Sequence, residues 1–277
     1  TPGCPCEGWG VAAGLSGGGR PAVFFNNSTG SGGAGTVTTG FTPTTATSRV
    51  EMLGGPVTVE HLYGPSLAPE VFQAQVSITN TSLTDTLTDV VYRRVMDWDV
   101  SPTPFSEYVT HVGVEANLES NGGNVRYASN NGFASANPND FAGVTGDFGE
   151  ASVNVDFTDL GPEDHGSVFD FAFGDLDPGQ TRIFNIFYGS APDEASAHAP
   201  LSALNADVYS LGQNSGPGGD LPGTPATFMF AFGGVGGAVT EPGASPFSPL
   251  LPFVPAEGDI EFIFVNPPPR RWFDPPS

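Results

Sequence analysis

Apolar and polar residues alternate with a period of two along much of this chain, densely from about residue 49. Val57-Thr58-Val59-Glu60-His61-Leu62-Tyr63, then Val71 to Asn80, then Val90 to Trp98 are rich in β-branched and aromatic side chains, the mark of half-buried strands. Asn80-Thr81-Ser82, with Thr84-Asp85-Thr86 beyond, supplies a turn between the second and third runs, which predicts that these two pair antiparallel. Val168-Phe169-Asp170-Phe171-Ala172-Phe173 and Thr181 to Tyr188 flank Asp177-Pro178-Gly179-Gln180, a hairpin signal of the same kind.

Between them, residues 117–167 are rich in Asn, Gly and Asp. Only Ala151 to Phe157 alternates there, so mostly long loops are expected. Pro192-Asp193-Glu194 opens the one helical candidate, which runs toward Leu204 and is interrupted by Pro200, so one or two short turns follow. The fold class predicted is all-β: a large antiparallel β-sandwich, Ig-like or jelly-roll-like, with long loops, one short helical segment and extended termini.

The two ends read differently from the centre. Residues 1–48 are rich in Gly, Ser and Thr and carry one apolar run, Val23-Phe24-Phe25, which either forms an edge strand or adds a strand to a neighbouring subunit. Residues 49–237 form the sandwich. Residues 238–277 are Pro-rich and hold one short apolar run with Ile260, Phe262 and Phe264, again a final strand or one offered to another molecule. Cys4 and Cys6 are the only cysteines. They lie too near the start to staple a core, and suit a local disulfide, free thiols or an interchain disulfide.

Charge narrows the partners. Thirty acidic residues face eight basic ones, every one of these an Arg, for a net charge of −22. Nucleic acid and anionic lipid surfaces need Lys and Arg clusters, so neither is an expected partner. The absence of Lys also removes Schiff-base catalysis and phosphate-loop chemistry, and the glycine run from Gly233 to Gly237 reads as a turn. No apolar run approaches the roughly 20 residues of a membrane-spanning helix. Thr1 reads as a processed end left by a removed signal peptide, which implies an extracellular or cell-surface location.

Candidate chemistry is sparse. Asp97-Trp98-Asp99 sets two carboxylates on one side of an extended chain, with Glu107 one loop away, a hard-oxygen set suited to Ca²⁺. The same carboxylates could instead pair with Arg93 or Arg94 or simply end the strand. Asp170, Asp175 and Asp177 form a second acidic group. His61, His111, His165 and His198 stand at no metal-binding interval, and no Gly-X-Ser-X-Gly elbow occurs, so an enzyme is not expected.

Asp89 to Val100, followed by Pro102 to Thr110, resembles a segment of secreted bacterial proteins that often carry PEP-CTERM sorting signals. Leu176 to Gly189 and Ala206 to Gln213 are similar to the same group, and the likeness covers about residues 50–236. It implies export, surface association and a β-sandwich, but no activity. The usual hydrophobic anchor and basic tail do not follow Asn266-Pro267-Pro268-Pro269. The expected role is a structural subunit of an extracellular filament, surface layer or matrix, assembling with itself by strand addition through the terminal segments. The alternative is a monomeric Ca²⁺-dependent adhesion or carbohydrate-binding module, with cell-surface polysaccharide as partner; a β-sandwich glycoside hydrolase ranks last.

Overall fold

A computed structural model describes residues 7–18, 22–27, 30–140, 152–216, 223, 225–235 and 239–240. The strands begin with β1 (Gly8–Leu15), β2 (Ala22–Asn27), β3 (Gly30–Gly32), β4 (Gly35–Phe41) and β5 (Ala46–Met52). Next come β6 (Val57–Pro65), β7 (Val71–Asn80), β8 (Leu87–Asp97), β9 (Glu107–Val112) and β10 (Val125–Ser129). The rest are β11 (Phe157–Glu163), β12 (Gly166–Ala172), β13 (Thr181–Ala191), β14 (Val208–Asn214), β15 (Thr227–Gly233) and β16 (Val239–Thr240), with helix α1 (Glu194–Ala203) between β13 and β14. The described chain is thus mostly strand, as its alternation predicts.

Two antiparallel sheets result. Sheet A runs β10-β12-β8-β1-β2-β3, and sheet B runs β11-β9-β14-β15-β13-β7-β6-β5-β4, with β16 also on β13. Between them lies an aromatic core. Phe171 of β12 meets Phe232 of β15 at 4.7 Å between centroids, and Phe173 meets Phe184 of β13 at 5.1 Å, both inside the range of favourable ring pairs.

Both expected hairpins turn out to be corners between sheets. β7 pairs with β6 and β13 while β8 pairs with β1 and β12, so the Asn80 turn carries the chain from sheet B to sheet A. Asn80 holds that corner: its buried amide donates to Asp85 O (2.9 Å) and Leu176 O (2.8 Å). The Pro178-Gly179 turn likewise joins β12 in one sheet to β13 in the other. Alternation assigns a residue to the inner face whether its partner lies beside it or across the core, so the pattern was correct and the neighbour was not.

The N-terminal boundary also moves. β1 lies in the middle of sheet A, paired to β8 on one side and β2 on the other, so strands β1 to β4 belong to the sandwich and form no separate arm. Its Gly and Ala content reads as flexibility in the sequence, but it serves close approach. A Cβ on Gly10 would lie 2.0 Å from Ala136 O, because the segment around 130–140 runs directly over this strand. Val23, Phe24 and Phe25 sit inside the same sheet, between β1 and β3, and Phe24 packs on the core. Cys4, Cys6, Ile260, Phe262 and Phe264 fall outside the described residues.

Three local differences remain. Residues 152–156 form turns, with Asn154 at φ 56°, and β11 starts only at Phe157. β10 occupies part of the expected loop region. Helix α1 runs for ten residues through Pro200, nucleated by Asp193, whose side chain accepts from Ser196 N at 2.7 Å, and secured by buried Ala197 and Leu201.

Candidate functional site

Two connections that cross between the sheets run side by side at one end of the sandwich. The first, from β8 to β9, contains residues 98–106; the second, from β11 to β12, contains Asp164 and His165. They are neighbours because the strands they join are neighbours: Asp97 is opposite Gly166 in sheet A, and Glu107 is opposite Glu163 in sheet B. A Cβ on Gly166 would lie 2.1 Å from Met96 O, so only glycine permits this backbone contact.

The crossing gathers acids. Carboxylate oxygens of Asp97, Asp99 and Asp164 lie within 4.8 Å of one another. Glu107 is fully buried beside them; its Oε1 accepts from Val100 N (3.1 Å), while among the described residues its Oε2 has no hydrogen-bond partner, and neither has Asp99 Oδ1. Burial pushes Glu107 up to about 8, and Asp164 and Asp99 add like charge. Asp164 is also raised, by burial and then by Asp99. His165, on the same connection, is neutral: burial lowers it to about 4, its Nδ1 accepts from Asn130 (3.0 Å) and its Nε2 donates to Glu107 O (2.9 Å).

The two arginines expected as partners of Asp97 or Asp99 are engaged elsewhere. Arg93 grips Asp170 with Nε (2.6 Å) and Nη2 (2.7 Å), both side chains wholly buried, while Nη1 donates to the carbonyls of Ser135, Asn137 and Asp140. Asp170 is thereby taken out of the second acidic group. Arg94 turns to the core face, where it bonds Glu7 and the Tyr188 hydroxyl.

Asp99 also belongs to the wall of a cavity of about 710 Å³, lined by Phe72, Trp98, Phe105, Tyr188 and Phe228 with Glu70 and Ser101. Phe72 and Phe105 are 65% and 64% exposed there. A smaller cavity of about 460 Å³ shares Phe72 and Tyr188 and adds Trp9, Tyr63 and Arg94, so aromatic faces line both hollows. Phe105 stands at φ 72°, a conformation that bulky residues rarely adopt.

No family model, curated protein or solved structure matches this chain. Its chemistry therefore has to be read from the site alone.

Two other polar groupings lack the arrangement of a hydrolase. His111 contacts Ser167 (2.8 Å), which donates to Ser210 (2.7 Å), where Trp98 Nε1 also donates (3.0 Å). His111, Ser167 and Ser210 are wholly buried, and only the Trp98 ring reaches the cavity described above. The carboxyls of Asp159 and Glu194 are close neighbours, and burial raises both, so they lack the separation across a sugar that a glycosidase pair requires. Of the carboxylate cluster, Asp97 and Asp99 stand in one local run of sequence, and Glu107, expected with them, lies beside the cluster and is not one of its three members. Asp164 was not legible from local spacing, since it comes from 65 residues beyond Asp99 and only the β8–β12 and β9–β11 pairings bring it there.

Proposed function

We propose that the protein is a secreted Ca²⁺-dependent binding module that holds a neutral polysaccharide segment in its aromatic cavity. The observation that carries this reading is the double membership of Asp99, which is part of the carboxylate cluster and of the cavity wall. Ca²⁺ takes six to eight oxygens at 2.3–2.6 Å, so oxygens on opposite sides of the ion stand about 5 Å apart, and the cluster's oxygens all fall inside that span. The donors are all carboxylate oxygens, and buried like charge at Glu107 and Asp164 is relieved by a divalent cation. With the ion in place, Asp99 would fix the β8–β9 connection and so the positions of Trp98 and Phe105. Exposed ring faces suit the apolar faces of sugar rings, and the charge of −22 favours a neutral glycan over an acidic one.

The test is thermal unfolding after chelation, with Ca²⁺ titrated back. At 100 times Kd a single site contributes about 2.7 kcal/mol, a rise of several degrees in Tm. Asp164→Asn should abolish that rise, and binding to a neutral glycan array should need Ca²⁺ and Phe105. An unchanged Tm across the titration would remove the reading.

A further inference from the structure

An open sheet edge is a hazard that folds normally blunt, and three of the four edges here are defended. β3 is three residues long. β11 carries Asp159, Pro162 and Glu163. β10 is capped by a bridge from Leu118 to Val125 and by Asn154, which bonds both Ala128 N and Ala128 O. The fourth, β4, reads Gly-Thr-Val-Thr-Thr-Gly-Phe, with neither charge nor proline. Among the described residues its strand partner is β5 on one side, with none on the other.

The geometry of β4 sets what fits there. Thr42 N donates to Thr45 O (2.9 Å), so Thr42–Thr45 is a hydrogen-bonded pair and, by alternation, so are Gly40–Thr47 and Thr38–Arg49. The N–H and C=O groups of Gly35, Val37, Thr39 and Phe41 therefore point away from β5. Val37 lies opposite buried Val50, on the core side of the sheet, yet it is 57% exposed, and Phe41 is 80% exposed. Among the described residues, an uncovered core face thus adjoins an unpaired backbone.

We propose that β4 pairs antiparallel with β4 of a second copy of this chain, fusing two B sheets across a two-fold axis at Thr38. In this register Val37 faces Thr39 of the second copy and Gly35 faces its Phe41. These are all residues whose backbone groups point outward. The self-complementary register about Thr38 selects the occupant, and charge sets its salt dependence. Two chains of −22 repel over most of their surfaces, but β4 is uncharged, and the nearest arginine, Arg49, is in ion pairs with Glu51 and Glu60. The proposal is independent of the cation cluster; its consequence is two cavities per particle, which raises avidity for a repeating polymer.

Sedimentation over a range of protein concentrations in 0.5 M NaCl tests it. The unsubstituted chain should form a concentration-dependent dimer that strengthens with salt. Val37→Pro deletes an outward N–H, leaves the bonds to β5 intact, and should weaken the dimer at least tenfold with circular dichroism and Tm unchanged. In a Cys4→Ser/Cys6→Ser background, Thr38→Cys should cross-link on oxidation, because directly opposed non-hydrogen-bonded residues lie about 4.5 Å apart, while Thr47→Cys on β5 should not. Monomer at every concentration, a dimer untouched by Val37→Pro, or no Thr38→Cys cross-link would each overturn the proposal.

Discussion

Among single residues, Arg93 and Phe105 mark opposite uses of stability. The Arg93–Asp170 pair is buried on both sides, and breaking it leaves a charge with no water to solvate it. Arg93→Met should cost about 3–5 kcal/mol in urea unfolding. Replacing both partners by apolar residues should cost clearly less than the sum of the single changes, which a double-mutant cycle would read. Arg93→Lys would not rescue, since an ammonium cannot span a carboxylate and three carbonyls at once. Phe105 is held at positive φ with its ring largely in solvent. Strain at such a residue persists where the surroundings enforce it. Phe105→Gly should therefore raise stability by about 0.5–1 kcal/mol, while glycan binding falls; a loss of stability instead would show that the ring contributes packing.

At the level of elements, strand content was legible and strand neighbours were not. Phe169 and Phe171 announce one face of β12, with Phe173 just beyond its end, and Ile183 to Phe187 announces β13, but a Pro-Gly turn can close a hairpin or turn a corner. What decides is whether both inner faces can be buried against each other, and here Phe173 meets Phe184 across the core. β1 was hidden for another reason: Gly8, Gly10 and Ala12-Ala13 carry little hydrophobic signal, and their value lies in how closely Phe25 and Ala136 approach. The candidate site divides in the same way. Asp97, Asp99 and Glu107 are local in sequence, whereas Asp164 arrives through strand order and Glu7 through the placement of β1.

At the scale of the whole molecule, buried titratable groups predict a stability profile with two limbs. His61 and His111 are lowered to about 3 and His165 to about 4, burial being the main cause in each case. Groups with lowered folded values contribute stability that is present above about pH 6.5 and lost as pH falls toward those values. Glu107 works the other way: raised to about 8, it contributes stability that is present below about pH 4.5 and lost as pH rises through 8. Urea midpoints between pH 4 and 9 should thus fall on both sides in calcium-free buffer. Ca²⁺ or Glu107→Gln should flatten the alkaline side only. An alkaline side indifferent to both would mean that the Glu107 carboxyl does not govern it.

Among the described residues, Arg93 holds the segment above sheet A by main-chain oxygens, those of Ser135, Asn137 and Asp140. Carbonyl groups are common to every amino acid, so the anchor is blind to which side chains the segment displays. Its outer surface is consequently free to diverge between generations while its path stays fixed, a division of labour between a permanent clasp and a rewritable face.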